Sequence, residues 1–254
     1  MPDHLAVTRR YYATWLDVAP EQLDAPGAFA VASPKREARQ AGYSRPFDLY
    51  AYVTGETTVI SYHRRLADCI EATLTAFRDA ADLTALEACL PSLLEAPSAR
   101  VGHSFKYVFT SLPHDVDPAP ARQLEDGDYA DFLGFHRAHY QDADQDLWLR
   151  DYFDSLVARG YLHGVEVDGR LVCAAEVPDL PYLVDLVAEP GIATLPAYRR
   201  CGYARAAVGA LLARLLDEGK TPLWSCAATN VASQRLAESL GFTKLADVIT
   251  VTLA

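Results

Sequence analysis

From Tyr203 to Asp217 the apolar residues Ala204, Ala207, Val208, Leu211, Leu212, Leu215 and Leu216 recur three and four apart. That period lays a single apolar stripe along a helix, so the segment must cover a core on one side only. What precedes it is equally restrictive. Ile192 to Leu195 reads as a strand, with a start as early as Leu183 left open, and Pro196 ends it; a short loop containing Gly202 then leads straight into the helix. Strand, tight loop and helix start make an anion site, because the first four helix amides lack intrahelical partners and the macrodipole adds about half a positive charge there. Gly202 lets the backbone approach a ligand closely, arginines supply charge-assisted contacts, and Ala204 is small enough to keep the helix tight on the loop. The alternative reading of Arg199, Arg200 and Arg205 is a solvated helix start.

The arginine cluster stands out because the chain is acidic, with 34 Asp and Glu against 23 Lys and Arg and a net charge of -11. Such a balance argues against general binding to nucleic acid or to an anionic membrane, since phosphates reward clustered cations, and favours cationic partners. No stretch approaches the ~18 apolar residues of a membrane span, and the amino terminus lacks a leader pattern. Cys69, Cys89, Cys173, Cys201 and Cys226 are odd in number and widely spaced, which suits reduced thiols in a cytoplasmic protein.

Ser111 to Ala121 reads SLPHDVDPAPA, an extended, proline-rich connection, and divides the chain into residues 1–115 and 116–254. The first segment reads as an α+β module: a helix near Val7 to Leu16, short strands near Ala28, Asp48 and Thr58, helices near Leu66 to Ala80 and Leu83 to Leu94, and a strand near Phe105 to Thr110. In the second, a short strand at Arg122 and two helices precede a hairpin around Asp168-Gly169, a pair suited to a type I′ turn. The strand, loop and helix described above follow, then a buried strand from Pro222 to Ala227, a helix from Asn230 to Leu240, Gly241 as its left-handed cap, and one or two closing strands from Phe242.

Arg199, Gly202 and Ala204 resemble the R/Q-x-x-G-x-G/A loop of the GNAT superfamily of N-acyltransferases, and Asn230-Val-Ala-Ser233 leading to Gly241-Phe242 is similar to that family's later helix and strand start. The resemblance covers about residues 121–254. It implies an α+β fold with a mixed central sheet flanked by helices, preceded by an added α+β domain. The implied activity is transfer of an acetyl group from acetyl-CoA to a primary amine of a small molecule, without a metal, by direct attack in a ternary complex. Amides of Arg200, Cys201, Gly202, Tyr203 and Ala204 would bind the coenzyme A pyrophosphate beside Arg199. Ala193 and Leu195 would hydrogen-bond the pantetheine through their backbone, and Asn230 would face it, while also suiting an ordinary N-cap.

For the base, Glu189 is preferred over Glu176, and either could equally be a solvated or core-edge carboxylate. The family's usual tyrosine position falls on Ala237, so the proton donor is open among Ser233, Tyr203 and water, with departure of an unprotonated thiolate as the further alternative. That gap leaves a non-catalytic acyl-CoA-binding or interaction module as the alternative. The first segment is expected to wall the acceptor site, or else to serve structure or homodimer contact.

Other patterns fail on their own chemistry. Asp142, Asp144 and Asp146 begin like a calcium loop, but Leu147 and Phe153 stand where glycine and a bidentate glutamate are needed. His136 and His139 share a helix face without a third ligand, Cys201 and Cys226 lack a nearby histidine, and neither GxxxxGK nor GxGxxG occurs.

Overall fold

Strand alternation sends Leu49 and Ala51 to one face of a sheet and Tyr50 and Tyr52 to the other, so both faces must be covered. The computed structural model describes residues 2–80, 82–140 and 146–253 and supplies both covers. Asp142 and Asp144 lie outside the described residues. The elements run α1 (His4–Leu16), β1 (Gly27–Ala32), β2 (Leu49–Val53), β3 (Thr57–Tyr62), α2 (Ile70–Asp79), α3 (Leu83–Leu93), β4 (Arg100–Phe109) and β5 (Ala121–Gln123). They continue with α4 (Tyr129–Tyr140), α5 (Asp146–Arg159), β6 (Leu162–Val167), β7 (Arg170–Glu176), β8 (Val187–Ala188), β9 (Gly191–Thr194), α6 (Tyr203–Asp217), β10 (Thr221–Ala227), α7 (Val231–Ser239) and β11 (Phe242–Thr252).

The fold is α+β, with a seven-stranded mixed sheet in the order β1-β3-β2-β11-β4-β10-β8 and a four-stranded sheet β5-β6-β7-β9. On one face of the larger sheet, α1 sets Tyr12, Trp15 and Leu16 against Tyr50, Tyr52, Leu223 and Val248. Asp3 starts this helix by accepting from the Ala6 amide at 3.0 Å. On the other face, α2 and α3 cover Leu49, Ala51, Ile60, Ile249 and Val251. A third core joins α4, α5 and α6 to β6, β7 and the inner residues Tyr107 and Trp224. Each such aliphatic or aromatic side chain contributes about 1.5–3 kcal/mol by leaving water.

The connection at Ser111 to Ala121 does not separate two sheets. β4, which precedes it, lies between β10 and β11, which follow it, antiparallel to both. The hairpin forms as expected, with Asp168 and Gly169 at φ 51° and 73°. The region after Leu183 differs. Leu183 itself is left-handed, only Val187 and Ala188 form a strand, and β9 starts afresh after Pro190, in the other sheet. The chain closes with one long strand rather than two, bulged between Lys244 and Ala246. Gly241 at φ 85° admits no side chain, since a Cβ there would sit 1.8 Å from the Ser111 carbonyl oxygen. All five cysteines are free. Among the described residues no helix is long and apolar enough to cross a membrane.

Candidate functional site

The break at Glu189 and Pro190 creates a fork. β8 pairs with β10 only at Thr221 and Pro222, while β9 pairs with β7 alone, so the facing edges of β9 and of β10 beyond Pro222 have no strand between them. Unpaired strand edges present a row of backbone donors and acceptors. The Leu195 amide donates to the Val172 carbonyl at 2.9 Å, which makes these two a hydrogen-bonded pair of the β7–β9 ladder. By antiparallel alternation Ala193 also turns its backbone to β7, and Ile192 and Thr194 turn theirs to the open edge. The edge-facing set is therefore one residue out of step with Ala193 and Leu195. The Leu195 carbonyl is also taken, by the Tyr198 amide.

α6 begins where β9 ends. Arg200 and Gly202 both take positive φ, 64° and 84°, and fold the loop back so that the helix starts at Tyr203. No side chain caps it, and the first intrahelical bond runs from the Ala206 amide to the Gly202 carbonyl. The amides of Tyr203, Ala204 and Arg205 are thus helix-start donors pointing out of the loop. A cleft of about 750 Å³ opens over them, lined by Ala193, Arg199, Arg200, Gly202, Tyr203, Ala204, Asn230 and Ser233 among others. Cys201 faces away, into a smaller cavity with Asp117 and Pro120.

The three arginines of the loop and helix start are not equivalent. Arg205 is spent on Asp115, at 2.9 Å, and on the Ser239 carbonyl. Arg199 donates to the Thr194 carbonyl, and Arg200 is exposed at the cleft without a hydrogen bond or ion pair among the described residues. Arg235, from α7, adds a further guanidinium that the sequence reading missed. Its signal is faint: it lies one helical turn and a half beyond Asn230. His139 also reaches this cleft, and burial, then the charge of Arg199, lowers its pKa. No group of three metal-ligating side chains occurs among the described residues.

Asn230 caps α7, its Oδ1 accepting from the Ser233 amide at 3.1 Å. Ser233 Oγ accepts from the Trp224 indole at 3.2 Å, with Cys226 and Tyr107 beside it. Burial pushes the Cys226 thiol up, the wrong direction for a nucleophile. Ala237 is wholly buried, and the phenol closest to this network comes from β4 instead, as Tyr107.

The two carboxylates both lie at the break between β8 and β9, Glu189 within it and Glu176 opposite Gly191. Glu189 accepts a hydrogen bond from Ser225 Oγ, which ties β8 to β10 at the point of divergence. Its field reaches Tyr11, Tyr12, Tyr43 and Tyr50 of the first segment and Lys106 of β4. Glu176 ends β7 opposite Gly191 near Tyr152 of α5; burial raises its pKa, against the pull of that phenol.

The model of the GNAT acetyltransferase family matches residues 160–248. A GNAT-family acetyltransferase from Colwellia psychrerythraea aligns over 100% of this chain and 98% of its own at 16% identity, with a TM-score of 0.56, and shares the fold across both segments. An acetyltransferase of the same family from Novosphingobium aromaticivorans is 25% identical over 61% of this chain and 67% of its own, with a TM-score of 0.48. The aminoglycoside N-acetyltransferase AAC(6')-Iy, solved with CoA, is 21% identical over 48% of this chain and 86% of its own, with a TM-score of 0.41. A search of curated proteins found no match.

Proposed function

Because residues 160–248 carry a GNAT acetyltransferase domain, we propose that this protein transfers an acetyl group from acetyl-CoA to a primary amine of a small molecule, by direct attack within a ternary complex. The observation that carries the reading is the uncapped start of α6 opening into the cleft beside exposed guanidinium groups. The residues suit the ligand. A Cβ built on Gly202 would meet nothing within 4 Å, so the space over the loop is open to a bulky anion. Arg199, Arg200 and Arg235 around one cleft suit a ligand with several phosphates.

In this reading the backbone from Arg200 to Ala204 holds the pyrophosphate by its amides. The open edge of β9, at Ile192 and Thr194, offers the pantetheine an added-strand ladder, with Ala193 as cleft wall and Asn230 opposite. The thioester supplies an acyl group and a thiolate leaving group. Glu189 accepts the proton of the attacking amine, and its bond to Ser225 keeps the carboxylate oriented. Glu176 is the second candidate, and the Ser233 hydroxyl, which lines the cleft, is the proton donor for the departing thiolate. Residues 1–115 wall the acceptor side, an assignment supported by the tyrosines around Glu189. The free cysteines suit a reducing compartment such as the cytoplasm.

Buried Ala237, where a phenol is usual, favours one competing reading, a non-catalytic acyl-CoA-binding module. Thiol release from acetyl-CoA over a panel of amines separates the two. Amine-dependent release above background supports transfer, and CoA binding with no release for any amine contradicts it.

A further inference from the structure

β1 stands at the outer end of the seven-stranded sheet, where β3 is its one neighbouring strand among the described residues, paired in parallel and without a bulge. That ladder fixes which way each backbone group points. The Gly27 amide donates to the Glu56 carbonyl at 2.9 Å and the Ser33 amide to the Tyr62 carbonyl at 3.0 Å, so residues 27, 29, 31 and 33 turn their backbone to β3. Ala28, Ala30 and Ala32 turn theirs outward, where no strand among the described residues meets them. Proteins blunt such edges with a charge, a proline or a bulge, and GAFAVA, from Gly27 to Ala32, carries none of these.

The side chains leave the edge equally unfinished. Val31 is half-exposed and belongs to none of the three cores, while Phe29, two residues back on the same face, is only partly covered by the α1 core. What matches this edge is the edge itself. A twofold axis at Ala30 sets two β1 strands antiparallel, with Ala28 opposite Ala32 and Ala30 opposite its own counterpart, so every outward amide meets an outward carbonyl. The same register places Phe29 of each copy against Val31 of the other, an aromatic and β-branched pair formed twice. Charge agrees with it. Asp24 and Glu56 flank the start of the strand and Lys35 follows its end, so the acidic end of each copy comes beside the basic end of the other. This self-matching favours a second copy of the chain over an unrelated strand.

We infer that two copies of this protein associate through β1, joining their larger sheets into one continuous sheet across a twofold axis. Three hydrogen-bonded residue pairs make a small interface, so the association is reversible and depends on concentration. β1 and the fork strands β8 and β10 lie at opposite ends of the sheet order, and the inference is independent of the acetyl-transfer reading.

Sedimentation of the full-length protein between about 1 and 200 μM tests it, with the mass of two chains expected at the top of the range and of one chain at the bottom. Over the same range the amides of Ala28, Ala30 and Ala32 should exchange hydrogen at least tenfold more slowly in the concentrated sample. Ala30→Pro removes the central outward amide and no bond to β3, a position where an edge strand accepts proline, and should weaken association at least tenfold. If that variant fails to fold by circular dichroism, the concentration dependence of exchange in the wild-type protein still decides. A single-chain mass throughout overturns the inference and leaves the edge to a strand of another protein. A dimer in which those three amides exchange freely, or one that folded Ala30→Pro leaves intact, overturns it in favour of a different face.

Discussion

On the α6 side of the fork the site is built from one stretch of chain, Ile192 to Arg205, completed by Asn230 and Arg235, and its groups are backbone amides and exposed arginines. On the α1 side the residues are Tyr11, Tyr12, Tyr50, Lys106, Glu189 and Ser225, buried or half-buried, and drawn together by strand pairing across most of the chain. The first side is open and locally encoded. The second exists only when β2, β4, β10 and β11 are all paired.

That contrast is sharpest under truncation. A fragment of residues 118–254 keeps the whole α6 side but loses β4, leaving β10 and β11 with unpaired facing edges and Tyr107 missing from the core. We expect it to show no cooperative thermal transition, a loss of at least about 5 kcal/mol, the lower end of domain stability. A melt resembling the full-length protein would break the claim that the second segment depends on the first.

Next in size is Gly202→Glu. The φ of 84° strains any side chain by about 1–3 kcal/mol, but nothing lies in its way, so the fold should survive with a modestly lower Tm. CoA affinity should fall at least about 100-fold, or 2.7 kcal/mol, because a carboxylate then occupies the anion cradle. Titration with CoA measures this, and affinity within about twofold of wild type would contradict the cradle.

Glu189→Gln should lower kcat by about 100-fold or more with CoA affinity unchanged, the range expected for losing a general base. Glu176→Gln should cost less than about tenfold in kcat. Its folded pKa is raised by burial, so ionisation opposes folding and Glu176 destabilises as pH rises through its titration. The glutamine variant should therefore match or exceed wild-type Tm at pH 7 and resemble it more closely in acid. A reversed order of the two kcat losses would move the base to β7.

The smallest expected effect separates two arginines. Arg200→Ala should weaken CoA about 5–10-fold, or ~1 kcal/mol, as expected for one exposed charge-assisted contact. Arg205→Ala should change CoA affinity less than about twofold and act on Tm instead, because its guanidinium already serves Asp115 and Ser239. Equal losses of affinity for both would show that the ligand lies deeper along α6.

What could be read in the sequence follows the same division. The stripe of α6, the Asp168-Gly169 turn and the Gly202 loop are local patterns with local causes, and the helix and turn appear where periodicity and turn chemistry put them. The register of β9 was not legible. Ile192, Ala193, Thr194 and Leu195 show no clear alternation, so which pair faces the open edge is set by the hydrogen bond from Leu195 to Val172. The place of β4 was invisible for a different reason. A strand's composition reports that it is buried, not which partners bury it, and β4 reaches across the proline-rich connection to pair with strands more than a hundred residues away. Lys106 and Tyr107 carry no motif, and they acquire neighbours only through that pairing.

The central claim is that the start of α6 binds the pyrophosphate of coenzyme A. Calorimetric titration of the full-length protein with acetyl-CoA, against S-acetylpantetheine, which lacks the pyrophosphate, tests it directly. We predict a Kd for acetyl-CoA of ~1–100 μM and binding at least about 100-fold weaker for the phosphate-free thioester. No heat with millimolar acetyl-CoA, or equal affinity for both ligands, would contradict the account.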